Sequence, residues 1–126
     1  MSSMRIWLPL VIALVLNAAA NVLMKIGSNT ASVLPVGTPV WQRLANFLNL
    51  ATLVGILLFA ANVLFYRKAL DNLDISVAYP VMVSVGLILV TLAAVCIPVL
   101  SERVSTWQIF GMILIAAGVW LVARGQ

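Results

Sequence analysis

Four long apolar segments constrain this chain more than any other feature. They cover about residues 6–24, 48–66, 75–100 and 107–123. Each is near or above the ~20 residues that an α-helix needs to cross the hydrocarbon of a bilayer. In hydrocarbon every backbone N–H and C=O must be satisfied inside the protein, and a helix does this within one segment. The expected fold is therefore an all-α membrane protein, four transmembrane helices in one small bundle. Composition agrees, with 64% of the 126 residues hydrophobic and 8% charged, and a mean hydropathy of +1.19. A soluble domain of this size cannot bury so much apolar surface. The chain, 1–126, reads as one domain, because nothing outside the spans is long enough to fold alone. The first span is about spanning length, longer than a signal-peptide core, so it is expected to stay in the protein.

The inventory of reactive groups is short. Histidine is absent, the acids number 3, and the single cysteine, Cys96, lies in an apolar run. That leaves too little for a metal site or a nucleophilic triad. No catalytic residue, metal or cofactor is expected, and the protein is not expected to be an enzyme. The net charge of +4 comes from scattered Lys and Arg. In a membrane protein these contact headgroups and set topology, and nucleic acid is not an expected partner. Arg5, Arg67, Lys68 and Arg124 would fall on one side, and Lys25, Arg43 and Arg103 on the other. This slight bias favours both termini in the cytoplasm, and so near a balance allows insertion both ways and antiparallel self-pairing.

The connections differ in length. Residues 27–47 form the only long one, with an irregular first half rich in Ser, Thr, Gly and Pro. Its second half sets Trp41, Leu44 and Leu48 at helical spacing. That pattern fits a short interfacial helix, or equally the frayed start of span two. The other connections, 67–74 and 101–106, are short, so consecutive spans are expected to be antiparallel neighbours. Span three holds Pro80, Gly86 and Pro98, and a kink with a hinge at Gly86 is expected there; Gly and Pro are also ordinary in membrane helices.

Polar groups inside the spans are the candidate site. Asn17 and Asn21 lie one turn apart on span one, and Asn62 and Tyr66 one turn apart on span two. Span three adds Tyr79 and Met82 on the stripe that reaches Gly86. An amide in hydrocarbon is costly without a partner, so it marks either a site or interhelical hydrogen bonding. Tyr79 equally reads as an interface anchor. Lys25 closes span one, where it either snorkels to the headgroups or holds a phosphate. The acids Asp71, Asp74 and Glu102 all fall in connections, so no titratable carboxylate is expected deep in the membrane. Amides, phenols and backbone suit a neutral or polyhydroxylated headgroup, or an anion with help from Lys25. On span four, Gly111 and Gly118 lie two turns apart and mark a face for close helix pairing, expected between protomers.

Several of these motifs together resemble the small multidrug resistance family within the drug/metabolite transporter superfamily. Span one reads N-x7-K from Asn17 to Lys25, where multidrug members carry E-x7-K. Span three opens ISVAYPVMVSVG, similar to the family's segment before its kinked helix, with Tyr79 on its tyrosine and Met82 in place of a substrate-stacking tryptophan. Span four reads GMILIAAG, similar to the family's paired-glycine dimer segment. The similarity covers spans one, three and four, and is expected to extend to all four. Loss of the glutamate and the tryptophan removes the proton site and the wall for flat cations. The AYP spelling and the S-E-x-V-S connection look like the four-span, EamA-like subunits that flip aminoarabinose-phosphoundecaprenol.

The resemblance implies a transporter of the bacterial inner membrane, moving a lipid-linked sugar or similar amphipathic lipid by alternating access. It also implies a homodimer, or a heterodimer with a similar four-span protein, in contact with membrane lipid. The expected substrate-binding residues are Asn17, Asn21, Lys25, Asn62, Tyr66, Tyr79 and Met82, with Gly86 as hinge and Gly111 and Gly118 at the dimer seam. The rival readings are a multidrug cation exporter with altered coupling, and a non-transporting subunit of a glycosyltransferase or permease complex.

Overall fold

A computed structural model describes residues 3–125. These fold into five α-helices: α1 (Ser3–Thr30), α2 (Val40–Phe47), α3 (Leu50–Ala69), α4 (Ile75–Cys96) and α5 (Thr106–Arg124). Four of them, α1, α3, α4 and α5, are long and apolar enough to cross a membrane. They alternate in direction, so the ends of α1 and α4 and the starts of α3 and α5 share one side.

Helix ends follow local chemistry. Asn49 caps α3, its side chain accepting from the Thr52 N–H at 3.0 Å. Arg67 and Lys68 sit in the last turn of α3, where cations suit the negative end of the helix dipole. Ser105 and Gln108 form a reciprocal capping box that starts α5.

Three boundaries differ from the sequence expectation. First, α1 continues to Thr30, so the start of the long connection is helical. Second, α2 is a separate helix, broken from α3 at Leu48 and Asn49, and not a frayed start of span two. Asn46 ties it back to the link, donating to the Ser32 carbonyl at 2.6 Å and accepting from the Ser32 N–H at 3.0 Å. Third, α4 stops at Cys96 instead of residue 100. Pro98 disfavours the helical region for the residue before it, and Ile97 is extended at φ −81° and ψ 119°. The helix is unbroken through Pro80 and Gly86, so no interruption marks the expected kink.

The centre of the molecule is α1. It packs along α3 and more briefly on α4, and α5 rests on α4. Although α3 and α4 are joined by a short connection, they make only slight direct contact, because α1 lies between them. The expectation that all consecutive spans pack together thus holds for α1–α3 and α4–α5 only. Leu10, Leu14, Ala69 and Ala78 form the buried cluster that ties the three inner helices at one end.

The α1–α3 crossing is close because its contact residues are small. A Cβ on Gly27 would overlap Thr52 Oγ1, and one on Gly55 would lie 3.3 Å from the Ala20 carbonyl oxygen. Without a hydrophobic drive between helices in lipid, such approach supplies the packing that holds them. Asn49 Nδ2 adds a bond to the Gly27 carbonyl at 2.7 Å.

Candidate functional site

Asn17 and Asn62 lie near the middle of α1 and α3, and Tyr66 and Tyr79 lie nearer one end of α3 and α4. Asn17 lies at the middle of α1, and its amide points at α4. A Cβ built on Gly86 would stand 3.1 Å from Asn17 Nδ2. Glycine at 86 therefore makes the room that the Asn17 amide occupies. This is a packing role beside the hinge role expected from sequence. Asn21 Nδ2 donates to the Asn17 main-chain carbonyl at 2.8 Å, with a longer approach of 3.5 Å to Asn17 Oδ1. Its donor is thus used within α1, a local bond of the kind that competes with the helix ladder.

Asn62 faces inward from α3. It is 5% exposed, and its Oδ1 is buried with no hydrogen-bond partner; the buried Tyr66 hydroxyl also has none. The antiparallel register set by Gly27 against Thr52, and Gly55 against Ala20, brings Asn62 level with residues 13–17 of α1. A donor on Asn17 and an unpaired acceptor on Asn62 thus stand at similar depth. An unsatisfied buried polar group costs about 1–3 kcal/mol and calls for an explanation. Tyr66 and Met82 pack around the Leu10–Ala78 cluster. Tyr79 is near the start of α4, at the same end, but 58% exposed.

Not every expected residue joins this group. Lys25 lies eight residues past Asn17, about 12 Å along the helix axis. Its Nζ is 3.6 Å from Glu102 Oε1, with both side chains about half exposed. Asp71 pairs with Arg67, and Asp74 precedes α4, so all three acids stand outside the spanning helices. Gly111 and Gly118 lie on α5, which has no buried residue, and a Cβ on either would meet nothing within 4 Å. Within one chain they make no close helix contact.

Sequence reasoning missed three features. The Asn49–Gly27 joint carried a legible half, the Asn-x-x-Thr cap, but its partner is 22 residues away. Ser84 is buried on α4, off the Tyr79–Met82–Gly86 stripe, and bonds back to the Val81 carbonyl at 3.3 Å; this hydroxyl was passed over. The Lys25–Glu102 pair had no local signal at all.

Residues 47–115, from the end of α2 to the middle of α5, match the small multidrug resistance family. The chain belongs to that family. Its membership and its four apolar helices make it a multi-pass membrane protein. The matched region holds Asn62, Tyr66, Tyr79, Met82, Gly86 and Gly111, and leaves α1 with Asn17, Asn21 and Lys25 outside it, as well as Gly118. An uncharacterised protein of Sinorhizobium fredii (strain NBRC 101917 / NGR234), y4nH, is 33% identical over 71 residues, which is 56% of this chain and 59% of that relative. The aligned stretch is thus under two thirds of the relative's length. No solved structure matches the chain.

Proposed function

We propose that this small multidrug resistance protein is a transporter of the bacterial inner membrane that flips a lipid-linked sugar or similar amphipathic polar lipid. The reading rests on one observation above the rest. Asn17, Asn21, Asn62, Tyr66 and Tyr79 are uncharged, and two of these side chains, through Asn62 Oδ1 and the Tyr66 hydroxyl, are buried without partners. A hydroxyl-rich headgroup supplies donors to Asn62 Oδ1 and acceptors to Asn17 Nδ2. Asn21, Tyr79 and Met82 border the same path, and Lys25 takes the phosphate. No acid lies in the spans, so span one exchanges no proton and the carrier works by alternating access alone. The substrate leaves chemically unchanged, which makes the protein a carrier and not an enzyme. Four spans enclose little volume, so the path runs between two protomers. Gly111 and Gly118 form the seam, with a second copy or a similar four-span protein as partner, parallel or antiparallel. Gly86 is the hinge on which α4 swings.

The test is flipping of a labelled polyprenyl-phosphate-linked sugar in liposomes. Asn17→Ala should slow it about tenfold or more, the worth of one charge-assisted or buried hydrogen bond. Unchanged flipping by Asn17→Ala would remove Asn17 from the site. The family match favours one rival, export of an organic cation. Proton release from the detergent-solubilised protein on adding a quaternary ammonium compound would establish that rival instead.

A further inference from the structure

Helix α2 meets the rest of the chain with its polar side. At helical spacing Val40, Trp41, Leu44 and Phe47 share one side of it, and Gln42, Arg43 and Asn46 the other. An amphipathic helix on a globular protein turns its apolar stripe to the core. Here the arrangement is reversed. Asn46 donates to the Ser32 carbonyl and accepts from the Ser32 N–H, and with Arg43 it borders a cleft of about 390 Å³ against Ser32 and Pro35 of the link. The apolar side is left open, with Val40 80%, Trp41 68% and Leu44 55% exposed, and α2 has no buried residue.

Position and charge decide what covers that side. Helix α2 ends at Phe47 and the spanning helix α3 begins at Leu50, so α2 stands where the chain enters the membrane. Phe47 borders a pocket with Met24, Gly27 and Thr52 at the α1–α3 crossing, which ties that end of α2 to the spanning helices. Leu50 and Leu53 in the first turn of α3 are exposed as well, so open apolar surface continues along the chain from α2 into the span. Tryptophan on such a side suits the headgroup boundary. Residues 27–49 hold Arg43 and no acid, and Arg43 lies one turn before Phe47, at the edge of the apolar side. Lys25 and Arg103 share this side of the membrane, and its one acid, Glu102, is paired to Lys25.

We infer that α2 lies on the bilayer surface as an anchor, its apolar side in the acyl boundary and Arg43 drawing anionic lipid headgroups. The anchor stands apart from the amide cluster and requires no transport. All of it but Phe47 precedes the region that matches the family.

The test uses the full-length protein in liposomes. Cys96→Ala removes the single native cysteine, and one NBD fluorophore is attached at Leu44→Cys or at Gln42→Cys. Both positions are exposed, so the label leaves the fold intact. The quenchers are phosphatidylcholine and phosphatidylglycerol, each carrying a nitroxide high on the acyl chain and each at the same mole fraction. The label at 44 should be quenched strongly and the label at 42 weakly. Phosphatidylglycerol should be enriched about fivefold over phosphatidylcholine as quencher of the label at 44. Arg43→Gln should abolish that preference and leave quenching by phosphatidylcholine unchanged. Equal quenching at 42 and 44 would overturn the seating of α2 in lipid, and equal quenching by the two lipids would overturn the role of Arg43. An unquenched label at 44, with disulfide cross-linking between unlabelled Leu44→Cys copies, would give the apolar side to a second copy of the chain and defeat the anchor.

Discussion

At the scale of single residues, the protein is a set of amides held where amides are expensive. Asn17 is tolerated because Gly86 leaves space beside it and because Asn21 shares its polarity. Asn62 has no such support, since its Oδ1 is buried and unpartnered. Removing an orphan acceptor removes a penalty. Asn62→Leu, close in volume and apolar, should therefore raise thermal stability in detergent by about 1 kcal/mol while flipping is lost. Destabilisation by Asn62→Leu would mean that the amide is a structural bond and not a waiting one. That Asn17, Asn21 and Asn62 are polar groups within the spans was legible from sequence, because hydrocarbon makes any polar side chain conspicuous. Their partners were not. Asn17 meets a glycine 69 positions away, and no local pattern encodes that approach.

At the scale of helices, the apolar runs located all four spans, and the errors lie at their ends. Hydropathy does not register that Pro98 makes Ile97 extended, so α4 stops short of the apolar run. It likewise misses that Asn49 starts a new helix inside a continuous apolar stretch, which separates α2 from α3. The amphipathic spacing offered a separate helix as one of two equal readings, and α2 is that helix, with Trp41, Leu44 and Phe47 all exposed. The least embedded span is α5. It has no buried residue, and Gly111 and Gly118 look onto open space. Leucine at both positions should therefore not destabilise a single protomer, and the loss of two helix-interior glycines should raise its thermal stability by about 1 kcal/mol. The same double variant should reduce the dimer fraction seen by chemical cross-linking in membranes. Undiminished cross-linking would remove α5 from the seam.

At the scale of the whole molecule, the alternating helices set Lys25, Arg43 and Arg103 on one side and Arg5, Arg67, Lys68 and Arg124 on the other. Orientation is then decided by a margin of one cation, and the acid partners of Lys25 and Arg67 alter it little. Replacing Arg67 and Lys68 by alanine reverses the margin. Reporters fused to the C-terminus should then move from mainly cytoplasmic to mainly external. An unmoved reporter would show that packing, not charge, sets the topology. The order of packing is a separate matter. Sequence proximity suggested α3 beside α4, yet α1 lies between them, because small residues at 20, 27 and 55 let α1 and α3 approach most closely.

The sequence by itself determined the solvent, the number of spans, the polar residues within them and the position of every acid outside them. These follow from the energy of placing each group in hydrocarbon or in water, which depends on the group and not on its neighbours. Only the tertiary structure decided that Asn17 faces Gly86, that Asn62 and Tyr66 lack partners, that Lys25 is held by Glu102, and that α2 meets the link with its polar side. Those facts depend on rotation and register between helices, and apolar faces of nearly uniform hydrophobicity leave both undetermined until the helices pack.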